Sequence, residues 1–327
     1  MTKVPHLNHT ETVSPSITGM DDEVFEPVHQ AIEQAHRARH GMDDPSATVL
    51  SRPSALRVAI LRALHQLLDT PLVFEDRLAL GILGAEGEAC ICSDPSRFDL
   101  PRFQRFRASM VVRSRFTEDE WAKARQSGVR QYVILGAGLD TFAYRNPDHG
   151  NCRVFEVDLP AMMQWKRECL RMAGVEEPEE LTFVTTDFEH ASVAKALTKA
   201  GFDRHAPAFF SCLGVIMYLD EEAIKHMLRL VGSLAPGSGI VFDYAVHPDC
   251  LPPREQQTME RLDKRMAERG EPWKTHLDPA SLAEMLRALG FTDVEDLGPE
   301  QMNDRYLSGR TDGLRKSGLT RLVRARV

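Results

Sequence analysis

The chain has 327 residues, 43% of them hydrophobic and 27% charged, with a formal net charge of −8 at pH 7. That composition excludes wholesale disorder, and the acidic balance speaks against a nucleic-acid binder, which would carry a basic face. The opening MTKVPHLNHTETVSPSITGMDDEV has no apolar core and is not a signal peptide, and no apolar run suits a membrane span, so a cytoplasmic protein is expected.

The six cysteines are scattered. Cys90 and Cys92 form a C-x-C with no second half at metal-site spacing, so reduced thiols and no metal are expected. Residues 1–20, polar with two prolines, read as a flexible tail. A helix is expected over 23–40 and a stronger one over 52–68, where Leu56, Ala59, Ile60, Ala63, Leu64, Leu67 and Leu68 make one apolar face. Ser51 suits its N-cap and Pro53 its first turn. FEDRLALGIL and RFQRFRASMVVRSRF read as further helices, which makes 21–130 a helical cap leading into the core.

From residue 131 the texture changes. QYVILG, RVFEVD, LTFVTTD, APAFFSCLG and SGIVFDY are short β-rich runs, separated by helical segments over 160–173, 191–200 and 220–234. Strands alternating with helices mean βαβ units and a parallel sheet. FTDVEDLG and LTRLVRARV add two strands, and a helical insertion is expected over about 248–290. The expected fold is α/β, with a Rossmann-like, doubly wound, seven-stranded, mostly parallel sheet over 131–327 and a helical N-terminal cap.

Gly136 and Gly138, with Ala137 between them, follow the strand YVIL. Glycine there lets the backbone turn sharply and approach a ligand. A dinucleotide fingerprint would continue to a third glycine, but Thr141 stands at that position. Asp140, in the turn itself, would repel a pyrophosphate and suits a ligand bearing an ammonium or sulfonium group, such as S-adenosylmethionine. Asp158, with Leu159 beside it, ends the second strand 20 residues after Gly138 and can accept from both ribose hydroxyls. The same residue could instead cap the helix that follows. Asp187 could accept from an adenine amino group while the Phe188 N–H donates to a ring nitrogen; both could equally belong to an ordinary turn. Asp220 and Glu221 most simply start a helix.

ILGAGLDTFAYRN, VFEVDLPAMMQWKR, TTDFE and LGVIMYLD occur in the order found in the leucine carboxyl methyltransferase-like family of class I S-adenosylmethionine-dependent methyltransferases. The chain resembles the bacterial branch of that family, many of whose members are attached to secondary metabolism. The resemblance runs from about residue 51 to the C-terminal LTRLVRARV. It implies that Arg113, or failing it Arg115, holds the cofactor's carboxylate, with a planar guanidinium fork suited to the task. It also implies the turn role of Gly136 and Gly138, the ribose role of Asp158 and the adenine role of Asp187. Two positions depart from the family pattern: Phe142 stands where many members have Arg, and Leu213 where many have a Glu that helps to hold the cofactor's ammonium. Asp140 is then the candidate for the ammonium.

These observations lead to an S-adenosylmethionine-dependent O-methyltransferase acting on a small molecule, at a carboxylate or a hydroxyl. A carboxylate is already ionised at pH 7 and needs no base; a hydroxyl would need one. His247 and Tyr218 are candidate catalytic groups, Arg145 and Tyr244 candidate substrate contacts, and His276 and Trp273 belong to another loop with an aromatic and a base. The alternatives are a non-catalytic S-adenosylmethionine-binding protein and an NAD-dependent oxidoreductase.

Overall fold

The computed structural model describes residues 24–40, 53–146, 150–188 and 192–327. The expected tail over 1–20 and the N-cap Ser51 lie outside the described residues. Among the described residues four α-helices precede the first strand: α1 (Glu26–His40), α2 (Pro53–Leu68), α3 (Gly84–Ser93) and the 26-residue α4 (Pro101–Gln126). Helix α4 begins at a proline, whose missing N–H costs nothing in a first turn. It runs on well past the stretch that suggested it.

One expected helix is not formed. Residues 74–83 make turns and a single 3-10 turn over Gly81–Leu83. The reason is tertiary. His65 Nε2 accepts from the N–H groups of Val73 (3.0 Å) and Phe74 (3.2 Å), and the buried Asp76 carboxylate is taken by Arg62, Thr141 and the Leu78 N–H. Those contacts hold the backbone in a shape a helix cannot adopt, despite its helix-forming residues.

Seven strands follow: β1 (Gln131–Leu135), β2 (Arg153–Asp158), β3 (Leu181–Thr185), β4 (Phe209–Cys212), β5 (Gly239–Ala245), β6 (Asp293–Leu297) and β7 (Thr320–Arg326). They lie in the order β3-β2-β1-β4-β5-β7-β6. The first five are parallel; β7 runs antiparallel to both neighbours. Helices α5 (Phe142–Arg145), α6 (Pro160–Met172), α7 (Val193–Lys199), α8 (Glu221–Gly232), α9 (Pro253–Glu268), α10 (Pro279–Ala288) and α11 (Pro299–Tyr306) complete the α-helices of the described residues.

Every residue of β1, β4 and β5 is buried, as expected of a sheet covered on both faces. Alternation then sorts them. Tyr132, Ile134, Phe209 and Val241 pack with the N-terminal helices; Val133, Leu135, Phe210, Phe242 and Tyr244 pack with α8, α9 and α10. The strand order reverses between β1 and β4, and such a reversal opens a crevice beyond the strands' C-terminal ends.

Candidate active site

At that crevice lies a cavity of about 770 Å³. The β1 turn contributes Gly136, Ala137, Gly138 and Asp140, the end of β2 Asp158 and Leu159, the end of β3 Asp187 and Phe188. Leu213 and Tyr218 come from beyond β4, and Arg113 from the middle of α4. The cavity is roofed by α2 and α9 and by the segment over 269–274, which includes Trp273.

The floor is backbone held by carboxylates. Gly136 has φ +68° and Gly138 φ +45°, in the left-handed region that favours glycine. Gly136 N–H donates to Val157 O at 2.8 Å, tying the turn to β2. Asp158 reaches across the same gap: one oxygen accepts from Gly138 N–H and the other from Leu159 N–H, both at 2.7 Å. Asp140 Oδ1 accepts from Phe142 N–H at 2.7 Å and so shapes the turn's exit.

Arg113 is nearly buried and pairs with Asp243 of β5, Nη1 to Oδ2, at 2.8 Å. The Gly214 N–H donates to the other Asp243 oxygen at 2.6 Å. Gly214 has φ +70°, and a Cβ there would stand 3.0 Å from Arg113 Nη2. The bare backbone is what lets the guanidinium lie against the end of β4.

The roof is stitched on by Glu271. One of its oxygens accepts from Ser54 Oγ at 2.8 Å and the other from Ser54 N–H at 3.2 Å, so a distant carboxylate caps the N-terminus of α2. Lys274 N–H donates to Met217 O at 2.7 Å and Thr275 Oγ1 to Leu219 O at 2.6 Å, fastening the same segment to the loop after β4. The Tyr218 hydroxyl lies beside Trp273, Glu271 and Ser54, and burial pushes its pKa above the ordinary 10.

Three sequence candidates stand outside the cavity walls. Arg145 forms an ion pair with Glu118 (2.6 Å) and with Asp76 (3.2 Å), and it braces α5 against the cap. Tyr244 is fully buried on the opposite sheet face and donates to Asp296 at 2.8 Å, because it alternates with Asp243 along β5. His247 is exposed and accepts from Asp249 N–H at 3.4 Å, capping the short turn over Pro248–Cys250. These placements correct the expectation that Arg145 and Tyr244 touch substrate and that His247 acts on it. His276 likewise pairs with Asp263 (3.1 Å) rather than lining the cavity. Arg115, the second choice for the cofactor's carboxylate, is half exposed and pairs with Asp119.

Asp243, Glu271 and Ser54 were not singled out from sequence. Asp243 had a signal: it is the one carboxylate in GIVFDYA, a strand otherwise without charge. Ser54 and Glu271 are 217 residues apart and had none.

The profile of the leucine carboxyl methyltransferase family matches residues 25–232. The chain belongs to the leucine carboxyl methyltransferase family. A Bacillus subtilis (strain 168) protein, YktD, assigned to the S-adenosyl-L-methionine-dependent methyltransferases, is 32% identical over 284 residues, covering 80% of this chain and 93% of its own. A Mycolicibacterium smegmatis protein with the same assignment is 31% identical over 267 residues, covering 78% of this chain and 82% of its own. The solved S-adenosylmethionine-dependent methyltransferase SibL, in its apo form, is 16% identical with a TM-score of 0.44, covering 93% of this chain and 75% of its own.

This member of the leucine carboxyl methyltransferase family is an S-adenosylmethionine-dependent methyltransferase, and S-adenosylmethionine is its cofactor. The nicotinamide and non-catalytic alternatives are thereby set aside. The wall chemistry fits that cofactor. A carboxylate at the end of β2 suits two ribose hydroxyls, a left-handed glycine turn admits close approach, and adjacent opposite charges at Arg113 and Asp243 suit an amino-acid group. Among the described residues no group of three or more His, Cys, Asp and Glu side chains is placed to hold a metal ion, and no helix is long and apolar enough to cross a membrane.

Proposed function

We propose that the enzyme is an O-methyltransferase that esterifies the carboxylate of a small, largely apolar acid. The observation that carries this reading is the make-up of the cavity's outer walls. Phe25, Phe106, Met110 and Met266 supply apolar surface, Arg57 and Arg269 supply guanidinium groups, and no histidine is among the described lining residues. Such walls favour an anion with an apolar body and offer no imidazole to deprotonate a hydroxyl.

S-adenosylmethionine supplies an electrophilic methyl group on a sulfonium. On this reading Asp158 holds the ribose, Asp187 and the Phe188 N–H the adenine, and Arg113 the carboxylate, while Gly136, Ala137, Gly138, Leu159 and Leu213 shape the cofactor's bed. The chain's contribution to the transfer is position and dryness. A carboxylate oxygen aimed in line with the carbon–sulfur bond needs no proton removed. Because the negative and positive charges cancel as the bond forms, a site that excludes water favours the step. Tyr218, a phenol that is protonated at neutral pH, can donate to the acceptor and thereby orient it.

Two measurements test this. By calorimetry, S-adenosylhomocysteine should bind the wild type, and Asp158→Ala should weaken that binding by about 1–3 kcal/mol, the cost of leaving hydrogen-bonded polar groups without a partner; an unchanged affinity would remove Asp158 from the ribose. In an acceptor screen with methyl-labelled cofactor, turnover of carboxylic acids should be flat from about pH 6 to 9, since a carboxylate ionises near pH 4. A rate that climbs with an apparent pKa near 7 would replace the carboxylate with an acceptor that needs a base.

A further inference from the structure

We propose that Asp243, on β5, is the group that binds the ammonium of the cofactor's amino-acid end, and that it works as one half of a fixed pair with Arg113. The proposal rests on S-adenosylmethionine being the cofactor and goes beyond it by assigning an unassigned residue; it also moves the ammonium from Asp140.

An α-amino acid group is a zwitterion, with a carboxylate and an ammonium on one carbon. Its complement is a cation and an anion held side by side. Arg113 and Asp243 are that complement. They stand 2.8 Å apart, both line the cavity, and they are 7% and 3% exposed. Neither is saturated by the other. Among the described residues the Arg113 guanidinium makes one hydrogen bond, to Asp243, out of five N–H donors. The Asp243 carboxylate accepts two, from Arg113 and from the Gly214 N–H, out of about four lone-pair sites. A zwitterion laid antiparallel against the pair meets an opposite charge at each end. The pair's own desolvation has already been met in the folded chain, so little rearrangement is needed on binding.

The sheet explains why β5 carries the acid. Cys212, the last residue of β4, is paired with Phe242 of β5, and Leu213 and Asp243 are the residues that follow them on the two chains. Leu213 lines the cavity but is apolar and cannot bind a cation. The adjacent strand supplies a carboxylate, and alternation turns it to the sheet face where α4 brings Arg113. Asp140 remains in the wall, with Oδ1 taken up in shaping the turn.

The test compares three ligands by calorimetry on the full chain: S-adenosylhomocysteine, its deaminated analogue that keeps the carboxylate, and methylthioadenosine, which lacks the amino-acid end. The wild type should prefer S-adenosylhomocysteine over the deaminated analogue. Asp243→Asn should weaken S-adenosylhomocysteine by about tenfold or more, the scale of a hydrogen bond to a charged group, and should leave methylthioadenosine within about twofold. The preference for the ammonium-bearing ligand should therefore collapse. Equal weakening of all three ligands would make the pair purely structural and overturn the proposal, as would a preference that survives the substitution. Should Asp243→Asn fail to fold, Asp140→Asn decides: a retained preference supports Asp243, and a lost one returns the ammonium to Asp140. A wild type that binds none of the three ligands removes the cofactor reading itself, a result distinct from a preference that merely persists.

Discussion

Gly136 illustrates how far a single position constrains this site. Its φ of +68° alone disfavours any side chain, and a Cβ there would meet Val215 Cγ2 at 2.2 Å. Two separate costs are therefore stacked on one residue: strain in the backbone and a steric clash with the segment after β4. Gly136→Ala is expected to lower stability by about 1–3 kcal/mol from the backbone alone, with the clash added. Gly136→Ala combined with Val215→Ala should recover the clash part and leave the backbone part. Thermal and urea melts of the four combinations separate the two. Full recovery in the double variant would mean that the turn relaxes and that strain contributes nothing. The glycine pattern was readable as a turn from sequence; that Val215 is what Gly136 makes room for was not, because the two are 79 residues apart and meet only through the pairing of β1 with β4.

At the scale of elements, the join between β2 and α6 rests on two charges. Glu156 and Lys166 are both fully buried, 2.7 Å apart, and the ammonium also lies 5.6 Å from the Tyr144 ring centre. Burial pushes the Glu156 carboxyl up to about 7 against the pull of Lys166. Glu156→Leu leaves a buried ammonium without its partner and should cost about 3–5 kcal/mol, whereas Glu156→Leu with Lys166→Met should be close to neutral, since a matched apolar pair avoids both desolvation penalties. Urea denaturation of the two singles and the double measures this. Losses that simply add would show the pair not to be coupled. The same scale shows what periodicity carries. The apolar face of α2 follows from spacing alone and appears in the structure over Leu56, Ala59, Ile60, Ala63 and Leu64, whereas Leu67, expected on that face, is exposed. The helix expected over 74–83 does not form, because its backbone and its aspartate are claimed by His65, Arg62 and Thr141 from elsewhere in the chain.

Across the whole molecule, the cap is locked to the sheet by one buried charge network. Arg62 of α2 pairs with Asp76 and donates to Leu139 O (3.2 Å) and Thr141 Oγ1 (2.7 Å); Arg145 joins Asp76 to Glu118 of α4. Burial by itself would raise the Asp76 pKa, but the charges of Arg62 and Arg145 and the hydrogen bonds from Arg62 and Thr141 outweigh it and hold the carboxyl below its ordinary 3.8. A carboxyl depressed in the folded state binds its proton more readily once unfolded. Its stabilisation is therefore complete above pH 3.8 and is lost as pH falls through that value and below. Melting temperatures should drop along an acid limb below about pH 4, and Asp76→Asn should make that limb shallower while lowering stability at pH 7 by about 3–5 kcal/mol. An acid limb of unchanged slope in the variant would assign the acid response to other carboxyls, such as Asp69, which His65 and Arg107 also hold low against the effect of burial. The sequence by itself determined the alternation of strands and helices, the glycine turn and the carboxylates at the ends of β2 and β3, because each is written in local spacing and backbone chemistry. The strand order, the pairing of Arg113 with Asp243, the capping of α2 by Glu271 and the exclusion of Arg145, Tyr244 and His247 from the cavity were decided only in three dimensions. Each depends on which sheet face a residue takes or on contacts between residues far apart in the chain, and no local pattern encodes either.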